Sequence, residues 1–348
     1  MSFLLDSDIT EICSNIKDLT SAFEGKTILI TGASGFLGKY FTSVFIKLNE
    51  TALNTPCKIV ALDNFITSNK NEFPPNANLS FLQYDVTKPF EPEQKIDFVL
   101  AAAGIASPEQ YQSFPLQTME CVTLGLKHAL ELAKQNHAKL LFFSSSEIYG
   151  DPDPKFVPTK EDYKGFVSCT GPRACYDESK RLGETMISVY HKTYGVSANM
   201  CRPFNVFGPG MLQKDYRVLP NFMSKILSNE SISIYGNGNQ TRTFCYVTDA
   251  IEGFLRVLVK GKAGQPYNIG NPTPELSMIE LANTLETVLG QKNKREIINH
   301  PACYPADEPN RRCPDITKAR KELDYSPKVS LEDGLKRFYN WAKENYTY

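Results

Sequence analysis

Lys26-Thr27-Ile28-Leu29-Ile30-Thr31-Gly32-Ala33-Ser34-Gly35-Phe36-Leu37-Gly38 is the stretch that decides the fold of this chain. Lys26 to Thr31 is a short β-branched run and reads as a buried strand. A Gly-x-x-Gly-x-x-Gly turn follows, and Lys39 to Leu48 continues as a helix-compatible stretch. Glycines between a strand and a helix let backbone approach a pyrophosphate, which then rests at the positive helix N-terminus. The spacing is a variant of the Gly-x-Gly-x-x-Gly fingerprint. Gly32, Ser34, Gly35, Phe36, Leu37 and Gly38 are therefore candidate cofactor contacts, with an ordinary glycine turn as the plainer reading.

The alternation continues outward. Lys58 to Leu62 is a second strand ending at Asp63, followed by Asn64. An acidic residue at that strand end can accept hydrogen bonds from an adenosine ribose and repel a 2′-phosphate, which favours NAD over NADP. Its alternative role is to cap a turn with Asn64. Leu79 to Tyr84 leads to Asp85-Val86, whose carboxylate and backbone are candidate adenine contacts. Ile96 to Leu100 leads to Ala101-Ala102-Ala103-Gly104, small enough for a cofactor to lie against the backbone. Lys139 to Phe143 runs into Ser144-Ser145-Ser146-Glu147. Strands alternating with helices predict a doubly wound parallel sheet with ligands at the carboxyl ends of the strands.

Tyr176 and Lys180 lie four residues apart and share a helix face. A nearby cation favours a phenolate, so this spacing predicts a tyrosine poised to take a proton from a sugar hydroxyl. Tyr-x-x-x-Lys alone reads more simply as a solvated helix face. Its weight comes from the motifs around it.

Composition sets limits. The chain has 348 residues, 41% of them hydrophobic, enough for a large core in one or two domains. A formal net charge of −1 gives no basic field for nucleic acid. No apolar run is long enough for a membrane span, and no basic flank with an apolar core suggests a secretory signal. Nine cysteines and four histidines lack ligand-like spacing, so reduced thiols in a cytoplasmic protein are expected and no metal. In the extension 1–24, Ile9, Ile12, Ile16, Leu19 and Phe23 recur at helical spacing, and Asp8 with Glu11 forms a candidate capping box. This predicts an amphipathic helix packed on the domain or on a partner subunit.

Gly32 to Gly38, Asp63, the serines before Glu147-Ile148-Tyr149-Gly150, and Tyr176 with Lys180 resemble the extended short-chain dehydrogenase/reductase superfamily over nearly the whole chain. Ser145 to Pro152, Gly171 to Glu178, Arg202 to Asn205, Gln240 to Phe244 and Arg312 to Ile316 are similar to UDP-glucuronate decarboxylases. The resemblance implies an α/β Rossmann domain, mainly residues 25–201, and a smaller C-terminal sugar-nucleotide lobe, mainly 202–348 with chain crossovers. It also implies NAD as cofactor, a UDP-linked sugar as substrate and a homodimer formed through the Tyr176 helix and residues 115–134.

In such an enzyme, oxidation at C4 places a ketone β to the C6 carboxylate. Carbon dioxide leaves, C5 is protonated, and hydride returns to C4. By the resemblance, Ser145 holds the C4 oxygen beside Tyr176, Ser146 and Glu147 lie near C5 and C6, and Lys180 also binds the nicotinamide ribose. Arg312 matches an arginine near the sugar carboxylate. Arg173 is a second candidate or a structural ion pair. Asn205, Arg217 and Arg242 match segments that handle the diphosphate, where a planar guanidinium suits phosphate oxygens. Ser146-Glu147 replaces the Asp-Glu pair of dehydratases, which argues against dehydration; the alternative is a 4-epimerase, 4,6-dehydratase or C4 oxidase acting on another nucleotide sugar. Two positions depart from the decarboxylase pattern: Gly210 where arginine is usual, near the substrate side, and Val122 where asparagine is usual.

Overall fold

The computed structural model describes residues 3–69, 73–299 and 309–347. Seven strands form its central sheet: β1 (Thr27–Thr31), β2 (Lys58–Asp63), β3 (Leu79–Gln83), β4 (Phe98–Ala101), β5 (Lys139–Phe143), β6 (Ala198–Pro203) and β7 (Pro266–Ile269). Their order is β7-β6-β5-β4-β1-β2-β3, and every neighbouring pair is parallel. The chain winds away from β1 in both directions, so the strand order reverses between β1 and β4 and leaves a crevice at their carboxyl ends. Both strands are buried along their whole length, as a sheet covered on both faces requires.

Helix α2 (Phe36–Thr51) is longer than the expected 39–48, because it begins inside the glycine turn. That start aims its first free N–H groups at the crevice. Helix α3 (Ala174–Tyr194) carries Tyr176 and Lys180, and α4 (Val247–Lys260) is buried along nearly its full length. The C-terminal half does not stay apart from the sheet. It returns through α4 and β7, and β7 pairs with β6. Outside the sheet, Thr241–Arg242 is flanked by Leu276–Ser277 and by Arg311–Arg312. Arg312 thereby stands in register with Arg242.

The N-terminal extension folds as α1 (Asp6–Asn15) and a 3-10 segment, Lys17–Phe23. Ile9, Ile12, Ile16, Leu19 and Phe23 are all buried, and α1 packs against α2 and α4. The expected capping box is not made. The helix starts two residues before Asp8, at Asp6, with Leu5 as an N-cap that makes no side-chain bond. Asp8 and Glu11 are instead drawn into tertiary contacts. Asp8 accepts from Tyr246 Oη at 2.7 Å and Tyr40 Oη at 3.4 Å and faces Arg337 at 3.3 Å. Glu11 accepts from Thr248 Oγ1 at 2.9 Å and Arg337 Nη1 at 2.6 Å. Buried hydroxyls and a guanidinium are stronger claimants on a carboxylate than a solvated helix end.

No helix among the described residues is long and apolar enough to cross a membrane. No group of acidic, histidine or cysteine side chains among them could hold a metal. Eight cysteines are free, and the ninth, Cys303, lies outside the described residues.

Candidate active site

A cavity of about 400 Å³ opens over the carboxyl ends of the central strands and reaches from the glycine turn to Arg312. At its first end, Gly38 lets helix and strand meet: a Cβ there would lie 2.1 Å from the Gly32 carbonyl oxygen. Gly32, Ser34, Gly35, Phe36, Leu37 and Gly38 all line the space, as do Val86, Ala102 and Ala103. The Ala103 N–H donates to Thr31 Oγ1 at 3.1 Å, which holds the β4 end against β1.

Asp63 and Asn64 line the same space. The Asp63 carboxylate accepts from the Ser34 N–H at 2.8 Å, the Phe65 N–H at 2.7 Å and Ser68 Oγ at 3.0 Å. It therefore ties the second strand to the glycine turn whatever else it binds. Two expected contacts stand elsewhere. Asp85 is exposed, with its carboxylate accepting from the Thr87 N–H at 3.0 Å in its own turn. Ala101 ends β4 inside the core. Neither lines the cavity.

At the other end, α3 sets Tyr176 and Lys180 one turn apart. Lys180 Nζ donates to the Phe143 carbonyl at 2.7 Å and lies 5.6 Å from the Tyr176 ring centroid. Tyr111 stacks on Tyr176 with centroids 5.4 Å apart and an 18° interplanar angle. Ser145 hydrogen-bonds the phenol and caps the short helix Ser146–Tyr149 through the Glu147 N–H at 3.2 Å. The expected depression of the phenol by the ammonium is overturned. Burial pushes Tyr176 up to about 12, outweighing the opposing pull of Ser145 and Arg217. Burial also brings Lys180 down to about 8. The ammonium lies over the ring and desolvation of both groups dominates.

Glu147 lies between two arginines. Arg173 Nη2 and Arg312 Nη2 both bond its Oε2, the latter at 2.6 Å, and both guanidinia are nearly fully buried. Arg173 also faces Asp177 at 3.5 Å. Ser146, Glu147, Arg173 and Arg312 all line the cavity. Both readings of Arg173 thus meet in one place, an ion pair at the cavity wall. The remaining arginines also have partners. Arg217 Nε donates to Asp215 at 3.0 Å, and Arg242 Nη1 donates to the Thr241 carbonyl at 2.8 Å. Asn205 donates to the Thr243 carbonyl at 2.8 Å. All three line the cavity.

The departures noted in the sequence resolve differently. Val122 is core, within a π-helical turn, Cys121–Leu126, and does not line the cavity. Gly210 lines it, but beside the glycine turn: a Cβ there would meet Leu4 Cδ2 at 2.8 Å and Phe36 Cδ2 at 3.7 Å. The N-terminal segment fills the space a longer side chain would need.

Residues 28–270 match the NAD dependent epimerase/dehydratase family. The chain belongs to this family. UDP-glucuronic acid decarboxylase 1 of Xenopus tropicalis is 35% identical over 343 residues, covering 98% of this chain and 77% of that protein. The epimerase Mth375 of Methanothermobacter thermautotrophicus superposes with a TM-score of 0.81 at 27% identity, covering 97% of this chain and 96% of its own. The UDP-glucuronic acid 4-epimerase of Bacillus cereus, solved with UDP-glucuronic acid and NAD, gives 0.75 at 26% identity, covering 92% and 100%.

The NAD dependent epimerase/dehydratase family accounts for the first end of the cavity. Backbone without side chains at Gly32, Gly35 and Gly38, an aimed helix N-terminus, and Asp63 at the second strand end fit a dinucleotide. Sequence reading missed Tyr111, whose stacking fixes the Tyr176 ring, and Lys39, which lines the cavity beside Gly38. A lone tyrosine in the short polar helix Pro108–Ser113 gives no sign that its ring will stack on a residue 65 positions away, and a lysine after the glycine turn reads as solvated.

Asp177 yields a pH signature. Burial and Glu147 raise its carboxyl to about 7, against the pull of Arg173 and Arg312. A carboxyl raised in the folded state gives stability present at low pH and lost as pH rises through the folded value. Asp177→Asn should therefore melt higher than the parent on the alkaline side of about 7, with the gap closing on acidification. Differential scanning fluorimetry across pH reads this; a gap independent of pH would remove Asp177 as its source.

Proposed function

We propose that this chain converts UDP-glucuronate to UDP-xylose and carbon dioxide, with NAD as a recycling cofactor. The observation that carries the reading is Glu147, held between Arg173 and Arg312 beside Ser145, Ser146 and Tyr176. Two buried guanidinia suit a sugar carboxylate, and Arg312 Nε is buried without a partner among the described residues. Ser146 stands directly before Glu147, where a dehydratase carries the first acid of its Asp-Glu pair. The similarity to decarboxylases and to an epimerase of the same uronic acid supports this substrate.

Bound NAD would take hydride from C4 and return it there. Tyr176, hydrogen-bonded to Ser145, takes the C4 hydroxyl proton and later restores it. Arg312 and Arg173 orient the C6 carboxylate, so that the C5–C6 bond electrons pass toward the C4 ketone as carbon dioxide leaves. Glu147, released from its arginine clamp by that carboxylate, governs proton delivery to C5. Lys180 holds the nicotinamide ribose, and Asn205, Arg217 and Arg242 hold the diphosphate. In this reading residues 25–201 serve mainly the dinucleotide and 202–348 mainly the sugar nucleotide.

Purified protein with UDP-glucuronate and catalytic NAD should give UDP-xylose by mass spectrometry and proton NMR. Unchanged mass with UDP-galacturonate signals would make it a 4-epimerase, and a 4-keto pentose product would remove the final reduction.

The protein in this reading is a cytoplasmic homodimer, consistent with eight free cysteines. Leu182 and Val189 on α3 are exposed, as is Leu116 on the neighbouring helix Pro115–Glu120. An apolar face shared by two neighbouring helices is what a partner copy would cover. Leu182→Asp should halve the mass measured by light scattering on a sizing column; an unchanged mass would move the interface elsewhere.

A further inference from the structure

Lys39 is the fourth residue of α2, and its relative exposure is 6%. Lysine is almost never buried unless it is paired. Among the described residues its ammonium has no ion pair and no hydrogen-bond acceptor within reach. Its side chain instead meets the Phe3 ring, 5.8 Å from Nζ to centroid, and Phe3 in turn packs edge-on against Phe73 at 5.3 Å. The N-terminal segment thus lies over this cation and shields it from water.

Lys39 lines the cavity that holds the glycine turn and Asp63. Asp63 does not neutralise it by contact, because its oxygens accept from the Ser34 and Phe65 N–H groups and from Ser68. Burial lowers the Lys39 ammonium from its usual range, with the charge of Asp63 opposing. A buried cation beside a helix N-terminus, facing an open cavity, is a site built for an anion.

We propose that Lys39 is a recognition cation for a phosphate oxygen of the bound dinucleotide, and that Phe3 and the N-terminal segment keep it dry for that purpose. This rests on the dinucleotide reading of the cavity and deepens it. Two phosphates could supply the oxygen: the pyrophosphate shared by NAD and NADP, or the 2′-phosphate of NADP alone. In the second case Lys39 offsets the repulsion that Asp63 would otherwise impose, and the site admits both cofactors.

Full-length protein, stripped of any co-purified nucleotide, is titrated calorimetrically with NAD+ and with NADP+ as wild type, Lys39→Met and Lys39→Arg. The expected result is roughly a tenfold or greater loss of affinity in Lys39→Met, with most of it restored in Lys39→Arg. An equal loss for both dinucleotides assigns the pyrophosphate; a loss confined to NADP+ assigns the 2′-phosphate. Ligand-free Lys39→Met should melt at or above wild type, because it removes a buried charge that lacks a partner. Unchanged affinity for both dinucleotides overturns the proposal, as does a ligand-free melting temperature well below wild type. Wild type that binds neither dinucleotide overturns the cofactor reading itself, which the variants alone could not do.

Discussion

Tyr176→Phe should lower turnover by about three orders of magnitude while the protein still folds and binds NAD. A positioned acid or base contributes roughly 10²–10⁴-fold. Tyr176 is the group that Ser145 hydrogen-bonds within the cavity. Phenylalanine keeps the ring that stacks on Tyr111, so the loss should be chemical. The phenol is pushed up to about 12, because burial outweighs the helpful contacts. It is therefore protonated at neutral pH before ligands bind. Proton removal would draw on the positive field that bound NAD would supply. Steady-state kinetics, calorimetric NAD binding and a melting curve separate these contributions. Wild-type turnover in this variant would remove Tyr176 as the base. A lost melting transition would make the comparison a statement about folding, and Tyr176→His would then be the variant to measure.

Glu147→Gln should reduce turnover about a hundredfold, the lower end of the range for a lost proton-transfer group, with reduced nicotinamide accumulating. Tyr176 and Ser145 are untouched, so C4 oxidation proceeds. The steps after it slow because proton delivery at C5 is impaired. The same substitution removes the anion shared by Arg173 and Arg312. Breaking a buried pair by removing one partner leaves uncompensated charge and typically costs about 3–5 kcal/mol. Asp177 still faces Arg173 at 3.5 Å, which keeps the loss near the lower figure. A urea midpoint measures the stability change, and absorbance of the reduced cofactor under single turnover measures the stall. Stability loss without accumulated reduced cofactor would make Glu147 a structural anion only. Wild-type kinetics would remove it from the mechanism.

Much of the fold and the site is legible in local sequence. The β-branched run before Gly32, the acidic residue ending the second strand, and Tyr176 four residues before Lys180 are local features. Strand burial, turn chemistry and helix spacing act within about ten residues. The five expected strands each lie within two residues of an observed one, as at the fourth, which begins at Phe98 and not Ile96, while Ala198–Pro203 and Pro266–Ile269 have no counterpart in the sequence reading. The N-terminal apolar stripe identifies its buried face correctly. Its capping box fails because Asp8 has competitors that the local sequence does not contain, Tyr246 and Arg337.

The sequence by itself determined the parallel sheet, the place of ligands at the carboxyl ends of its strands, the glycine cradle and the helix that carries tyrosine and lysine. Each follows from periodicity and from the conformational needs of glycine and helix ends. Only the tertiary structure decided the electrostatics. Glu147, Arg173 and Arg312 become one cluster because residues up to 165 positions apart are brought together. Phe3 covers Lys39, and Leu4 fills the space over Gly210, for the same reason. A side chain's charge state depends on how much water folding removes and which distant partner replaces it. A linear pattern gives the residue type; burial and contact decide what that residue can do.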